Sequence, residues 1–107
     1  MITTLVNERL ICLALQATSK EAVFQEMAAM LANDGRINDR QQFVADLWAR
    51  ENIDNTGFEQ GIALPHAKSA AVVNPAVAVG ISRDGIAYGA EDGQAFETVI
   101  SPCERAV

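Results

Sequence analysis

The hydrophobic pattern changes period near Phe58, and this change limits the possible folds more than any other feature of the chain. Before it, apolar residues recur every three or four positions, the spacing that gives a helix one buried stripe. Val23, Met27, Met30 and Leu31 form one such stripe. Thr18 followed by Glu21 matches a capping box and predicts a helix start, while Asn33-Asp34-Gly35 predicts its stop. Asp39 with Gln42 predicts a second start. Phe43, Val44, Leu47 and Trp48 then supply a second stripe, which runs out around residues 50–52, and residues 52–57 read as a loop.

Beyond Phe58 the pattern is that of strands. Gly61-Ile62-Ala63-Leu64-Pro65-His66 reads as extended, because Pro65 lacks an amide hydrogen and pushes Leu64 away from helical geometry. Residues 76–82 are rich in β-branched side chains. Asp84-Gly85 is a turn signal and Ile86-Ala87-Tyr88 a short returning strand, so a hairpin is expected there. At the other end, the apolar run within residues 9–16 has the length of a buried strand. The order strand, helix, helix, strands predicts an α+β fold with helices flanking a mixed sheet. The 107 residues suit one domain, residues 1–107. Residues 95–107, with Pro102 and three charges, continue neither period and read as a divergent tail.

Composition removes several classes of function. A net charge of −6 argues against nucleic acid, whose binding needs cations to displace counterions. It also disfavours anionic membrane surfaces, and no apolar run reaches the length of a span. The N-terminus shows no basic start followed by an apolar stretch, so no secretion signal is read. Cys12 and Cys103 have no framework spacing, and Cys12 reads as a small core residue. A reducing, cytoplasmic setting is expected.

Chemistry converges on the one histidine, His66. A proline stiffens the backbone before it, and Gly61, Ala63 and Ala67 leave room for another molecule to approach. A rigid, accessible imidazole is neutral and nucleophilic near pH 7, so it can accept a phosphoryl group without a metal. Phosphoryl transfer then asks for position and for positive charge. Arg50, at the end of the second helix, offers a planar fork of donors, or a solvated surface charge, and Lys68 a mobile point charge that reads better as solvated surface. Thr56-Gly57 could present a hydroxyl or an amide to an anion, or be a plain turn. One His and two distant Cys have no metal-ligand spacing, and residues 61–68 lack the Gly-Lys-Ser/Thr ending of a nucleotide loop. Asp34, Asp39, Asp46 and Glu51 read as caps and a solvated helix face.

The stretch Thr56-Gly57-Phe58-Glu59-Gln60-Gly61-Ile62-Ala63-Leu64-Pro65-His66-Ala67-Lys68 resembles the active-site signature of fructose/mannitol-type enzyme IIA domains of the sugar phosphotransferase system. Arg50-Glu51, the opening strand, the Thr-Ser-Lys-Glu helix start and Asp92-Gly93-Gln94 extend the likeness over about residues 5–94. The resemblance implies a phosphoryl carrier that needs no cofactor. His66 would take a phosphoryl group from phospho-HPr and pass it to a cysteine of a IIB domain, which serves a IIC membrane domain in sugar uptake. Arg50, with Thr56, would stabilise the phosphoryl group. Two other readings stand beside it: a nitrogen-type regulatory protein that binds targets according to phosphorylation state, and an inactive remnant. The family continues after Asp92-Gly93-Gln94 with an apolar strand, helices and a second histidine that residues 95–107 do not match. The fold is therefore expected to lack its C-terminal strand and helices. That should leave a sheet edge beside residues 76–88 and apolar surface around Val23, Met27, Phe43 and Leu47 uncovered, and a homo-oligomer is expected.

Overall fold

A computed structural model of the chain describes residues 5–58, 61–88 and 96–106. Two helices pack on a mixed, six-stranded sheet, the α+β arrangement expected. Helix α1 is Lys20–Asn33 and helix α2 is Arg40–Glu51. The cap of α1 lies one residue later than expected: Ser19 Oγ accepts from the Ala22 amide at 3.2 Å. The Thr18 carbonyl is drawn into a bond with the Ala87 amide at 3.0 Å, so Ser19 is the first residue free to cap. The stop is as read. Gly35 takes φ 71°, and the Arg36 amide returns to the Leu31 carbonyl at 2.9 Å, closing the last turn. Asp39 caps α2 through the Gln42 amide at 3.0 Å. The Gln42 side chain bonds Asp46 at 3.0 Å, so only half of the capping box is built.

The strands are β1 (Ile11–Cys12), β2 (Gly57–Phe58), β3 (Ile62–Ala63), β4 (Ala67–Ser69), β5 (Ala76–Ile86) and β6 (Phe96–Arg105). Their order is β1-β5-β6-β3-β2, with β4 also paired to β6. Three expectations are corrected. The run 9–16 yields only the two residues of β1, after a short 3-10 turn at Glu8–Leu10; Leu10 and Leu15 are buried, but Ile11 and Leu13 face outward. Asp84-Gly85 does not turn a hairpin. Strand β5 runs through it, and between Ile81 and Ile86 five steps of β5 pass only two of β6, an irregularity that absorbs Gly85 at φ 84°.

The third correction concerns the tail. Residues 96–105 are the strand expected to be missing, antiparallel to β5 and parallel to both β3 and β4. Val99, Ser101 and Cys103 are buried, while Thr98, Ile100 and Pro102 alternate with them and are half-buried; Phe96, before this alternation, is buried too. Period-two alternation is present, but Ser101 and Cys103 carry it in place of larger apolar residues, and Pro102 interrupts it. Proline in a paired strand is tolerated only where its missing N–H leaves no ladder bond unmade.

The helices cover one face of the sheet. Val23, Met27, Phe43 and Leu47, expected to be partly uncovered, are at most 1% exposed. An aromatic chain joins the layers: Trp48 lies 4.7 Å from Phe24, Phe24 lies 6.3 Å from Tyr88, and Tyr88 stacks on Phe96 at 5.3 Å. A β-carbon at Gly57 would overlap the Phe96 ring, which fixes a residue without a side chain there. Among the described residues, no helix is long and apolar enough to cross a membrane.

Candidate functional site

Strands β3 and β4 lie along the same side of β6 in one unbroken register. Ala63 pairs with Val99 and Ala67 with Cys103, an equal offset on both sides of a break at Leu64-Pro65-His66. Pro65 in the break, and Pro102 on β6 beside it, have no amide hydrogen to give to a ladder. The break frees the Leu64 carbonyl, which faces His66 Nδ1 at 2.8 Å. Entry to β3 is set by Gly61 at φ 76°, and the Leu64 amide is tied to the Thr56 carbonyl at 3.0 Å. The histidine thus sits at an interruption in an otherwise regular edge, held by its own strand.

Arg50, on the last turn of α2, reaches the other ring nitrogen. Its Nε lies 3.2 Å from His66 Nε2, and its Nη1 donates to the Asp54 carbonyl at 2.9 Å. A carbonyl can only accept, so Nδ1 must carry the proton, and Nε2 keeps a lone pair that accepts from the guanidinium. The tautomer follows from the two partners. A cleft of about 400 Å³ opens beside His66 and Arg50, lined also by Asp46, Ala49, Ile53 and Lys68, among others. Asp46 is held by Ser69 Oγ at 2.5 Å. Lys68 is exposed and 4.0 Å from Glu104, a solvated pair worth little by itself. His66 and Lys68 also line a smaller hollow of about 130 Å³ against Pro102 and Glu104. Among the described residues, no group of three His, Cys, Asp or Glu could hold a metal ion.

The structure therefore brings His66 and Arg50 together, but not the Thr56 hydroxyl. Thr56 is 2% exposed, and its Oγ1 donates to Glu51 Oε1 at 2.6 Å. Tyr88 Oη lies 2.7 Å from Thr56 Oγ1. Thr56 acts on the site from behind, through its carbonyl bond to Leu64.

Glu51 is not the solvated helix residue expected. It is 7% exposed and accepts from Lys20 Nζ at 2.9 Å and from the Thr56 amide at 2.8 Å. Burial alone would raise its pKa, but the Thr56 and Lys20 hydrogen bonds outweigh burial and hold it below the ordinary carboxylate value. A signal was available: Phe43, Leu47 and Glu51 are spaced by four, so the carboxylate lies on the apolar stripe. Burial pushes the Tyr88 hydroxyl well up, so it is a neutral donor.

A family model described as "Phosphoenolpyruvate-dependent sugar phosphotransferase system, EIIA 2" matches residues 4–103, reaching well into β6. The chain is 44% identical over 93 residues to the "PTS system fructose-specific EIIABC component" of Bacillus subtilis, covering 87% of the chain and 15% of that protein. It is 36% identical over 82 residues to the "PTS system fructose-like EIIA component" of Escherichia coli, covering 77% of the chain and 55% of that protein. The chain is also 36% identical over 61 residues to the "Nitrogen regulatory protein" of Pseudomonas aeruginosa, covering 57% of the chain and 40% of that protein. It therefore spans little more than half of these relatives' length at most.

Among solved structures, nitrogen regulatory protein IIA-Ntr from Neisseria meningitidis superposes with a TM-score of 0.86 at 24% identity, over 96% of the chain and 70% of that chain. The complex of enzyme IIAMTL with phosphorylated enzyme IIBMTL from Escherichia coli gives 0.80 at 21% identity, over 94% of the chain and 70% of that chain. At these identities the likeness concerns the fold.

Proposed function

Since the chain belongs to the EIIA 2 family of the phosphoenolpyruvate-dependent sugar phosphotransferase system, we propose that it is a phosphoryl carrier in which His66 Nε2 is the acceptor atom. The observation that carries this reading is the arrangement of the ring: Nδ1 bonded to the Leu64 carbonyl and Nε2 to Arg50, with both side chains lining the cleft. In the first step the Nε2 lone pair attacks the phosphorus of phosphohistidine on HPr. The new Nε2–P bond forms as the donor's N–P bond breaks and its imidazole leaves. The acceptor ring gains positive charge, and the Nδ1–H bond to Leu64 stabilises it. Arg50 follows the phosphoryl oxygens, where its fork of donors suits their geometry. In the second step a thiolate on a IIB domain attacks the same phosphorus and the Nε2–P bond breaks, restoring the neutral ring.

Sugar uptake is favoured over nitrogen regulation because the two fructose-type relatives match over 77–87% of the chain and the regulatory one over 57%. The assembled Arg50–His66 pair supports a working carrier over a remnant. The reading places the chain in the cytoplasm, which free thiols at Cys12 and Cys103 suit.

The test is incubation with enzyme I, HPr and phosphoenolpyruvate, followed by intact mass and phosphorus–nitrogen NMR. One acid-labile phosphoryl group on Nε2 is expected, and none on His66→Ala. Label on a Ser, Asp or Cys, or a bond to Nδ1, would contradict the reading.

A further inference from the structure

Both partners of the His66 ring trace back to one buried carboxylate. Glu51 accepts from three donors directly: Oε2 from Lys20 Nζ at 2.9 Å and the Thr56 amide at 2.8 Å, and Oε1 from Thr56 Oγ1 at 2.6 Å. The single proton of Tyr88 is shared between Thr56 Oγ1 at 2.7 Å and Glu51 Oε1 at 3.3 Å. The bonds to Thr56 close the loop of residues 52–55 at both ends. Inside that loop lies the Asp54 carbonyl, which takes Arg50 Nη1 at 2.9 Å and so sets where Nε points. On the far side, the Thr56 carbonyl holds the Leu64 amide at 3.0 Å, and the Leu64 carbonyl holds His66 Nδ1 at 2.8 Å. Glu51 does not line the cleft and touches no reacting atom.

We propose that Glu51 is a positioning residue for phosphoryl transfer: its carboxylate clamps the loop after α2 so that Arg50 and the Leu64 carbonyl stay on the two ring nitrogens of His66. This deepens the phosphoryl-carrier reading and rests on it. Stability alone does not call for a buried charge here, since well-packed apolar residues often replace buried ion pairs without loss. What a carboxylate provides is fixed geometry around a rigid backbone turn, and phosphoryl transfer depends on position. A displacement of the order of 1 Å costs about a hundredfold in rate.

Glu51→Gln is the informative variant. It keeps shape but sets an NH2 group against donors. The transfer rate from phospho-HPr is expected to fall on the order of ten- to a hundredfold. In the Arg50→Ala background the same change should cost less, because one of the two groups it orients is gone. A residue that only stabilises the fold would give losses that multiply. Nitrogen NMR of the unphosphorylated protein supplies a reading that needs no transfer: His66 should be the Nδ1–H tautomer in the parent and a mixture in Glu51→Gln. If that variant does not fold, Thr56→Val and Thr56→Ser replace it. Val should reproduce the defect and Ser should restore both rate and tautomer. Unchanged tautomer with parental rate, or losses that multiply with Arg50→Ala, would overturn the proposal. A parent protein that takes no phosphoryl group would overturn the carrier reading instead, and the tautomer measurement would still decide the role of Glu51.

Discussion

At the scale of single residues, the site is a competition for two ring nitrogens. A carbonyl takes one and a guanidinium the other, so the ring's tautomer is set and Nε2 is left as the atom proposed to accept the phosphoryl group. Arg50 is half-buried at a helix end, and its bonds are to Asp54 and His66 alone among those described. Its removal should therefore affect transfer more than folding. Arg50→Ala is expected to slow phosphoryl transfer roughly a hundred- to a thousandfold, about 2.7–4 kcal/mol of barrier, with melting nearly unchanged. Rapid-quench kinetics beside circular dichroism checks this, and a variant with full rate would remove Arg50 from the mechanism. His66 was readable because it is the one histidine of the chain, and Arg50 because it closes a helix just before the histidine's segment. Thr56 was readable as part of the site but not in its role, since a hydroxyl's direction depends on which acceptor the fold brings near.

Among the elements, β6 decides most. It joins β5 on one side to β3 and β4 on the other, so it carries the histidine's strand on the sheet. Phe96, fully buried, stacks on Tyr88 above Gly57 at the start of the signature stretch. Phe96→Ala should cost about 3–5 kcal/mol, a large share of the roughly 5–15 kcal/mol that holds a domain of this kind. Urea unfolding followed by Trp48 fluorescence measures it, and a loss under about 1 kcal/mol would mean that β6 packs less tightly than its burial implies. The strand escaped reading because Ser101, Pro102 and Cys103 hide its alternation, while Asp84-Gly85 offered a turn that a bulge satisfied instead. Tertiary pairing outweighed the local signal in both places.

For the whole molecule, two features follow from how the chain closes. Asp34 gathers Arg9 at 2.5 Å, Arg36 at 2.9 Å and Asn7 at 3.0 Å, fastening the N-terminal segment to the end of α1. The hydrogen bonds from Arg9, Arg36 and Asn7 hold its carboxyl at about 2, below the ordinary 3.8. Glu51 is also held below its ordinary 4.5. A depressed carboxylate stabilises the folded state above its unfolded pKa and loses that contribution as pH falls through the folded value. Stability should thus be level at neutral pH and decline from about 4.5 toward about 2. Asp34→Asn should flatten the lower part of that decline in urea midpoints taken across the range. An unchanged slope would mean that the cluster persists in the unfolded chain.

The second feature is the open face of the sheet. Ile11, Val79 and Ile100 share one row across three strands, and Ile62, Thr98 and Ile81 share another. Ile11 is 42% and Ile62 36% exposed. Apolar surface of this kind favours association. The expected homo-oligomer therefore has a different basis from the one read in the sequence. The helical residues named for it are buried, and the edge beside β5 is paired. Sedimentation equilibrium should show self-association at high micromolar concentration, and Ile100→Lys should shift it to monomer. A parent chain that stays monomeric would sink the idea.

The sequence by itself determined what depends on neighbours in the chain. These are the two helices and their stops, the extended segment stiffened by Pro65, and the choice of His66 and Arg50 as the candidate pair that the fold brings together, since caps, periods and motifs are local. Only the tertiary structure decided that residues 96–105 become a central strand, that Glu51 is buried, and that the Thr56 hydroxyl turns to Glu51 while the Leu64 carbonyl meets the imidazole. Each of those depends on which distant groups are brought within a hydrogen bond's length, and β pairing and burial of polar groups are set by the partner across the sheet rather than by the residues alongside.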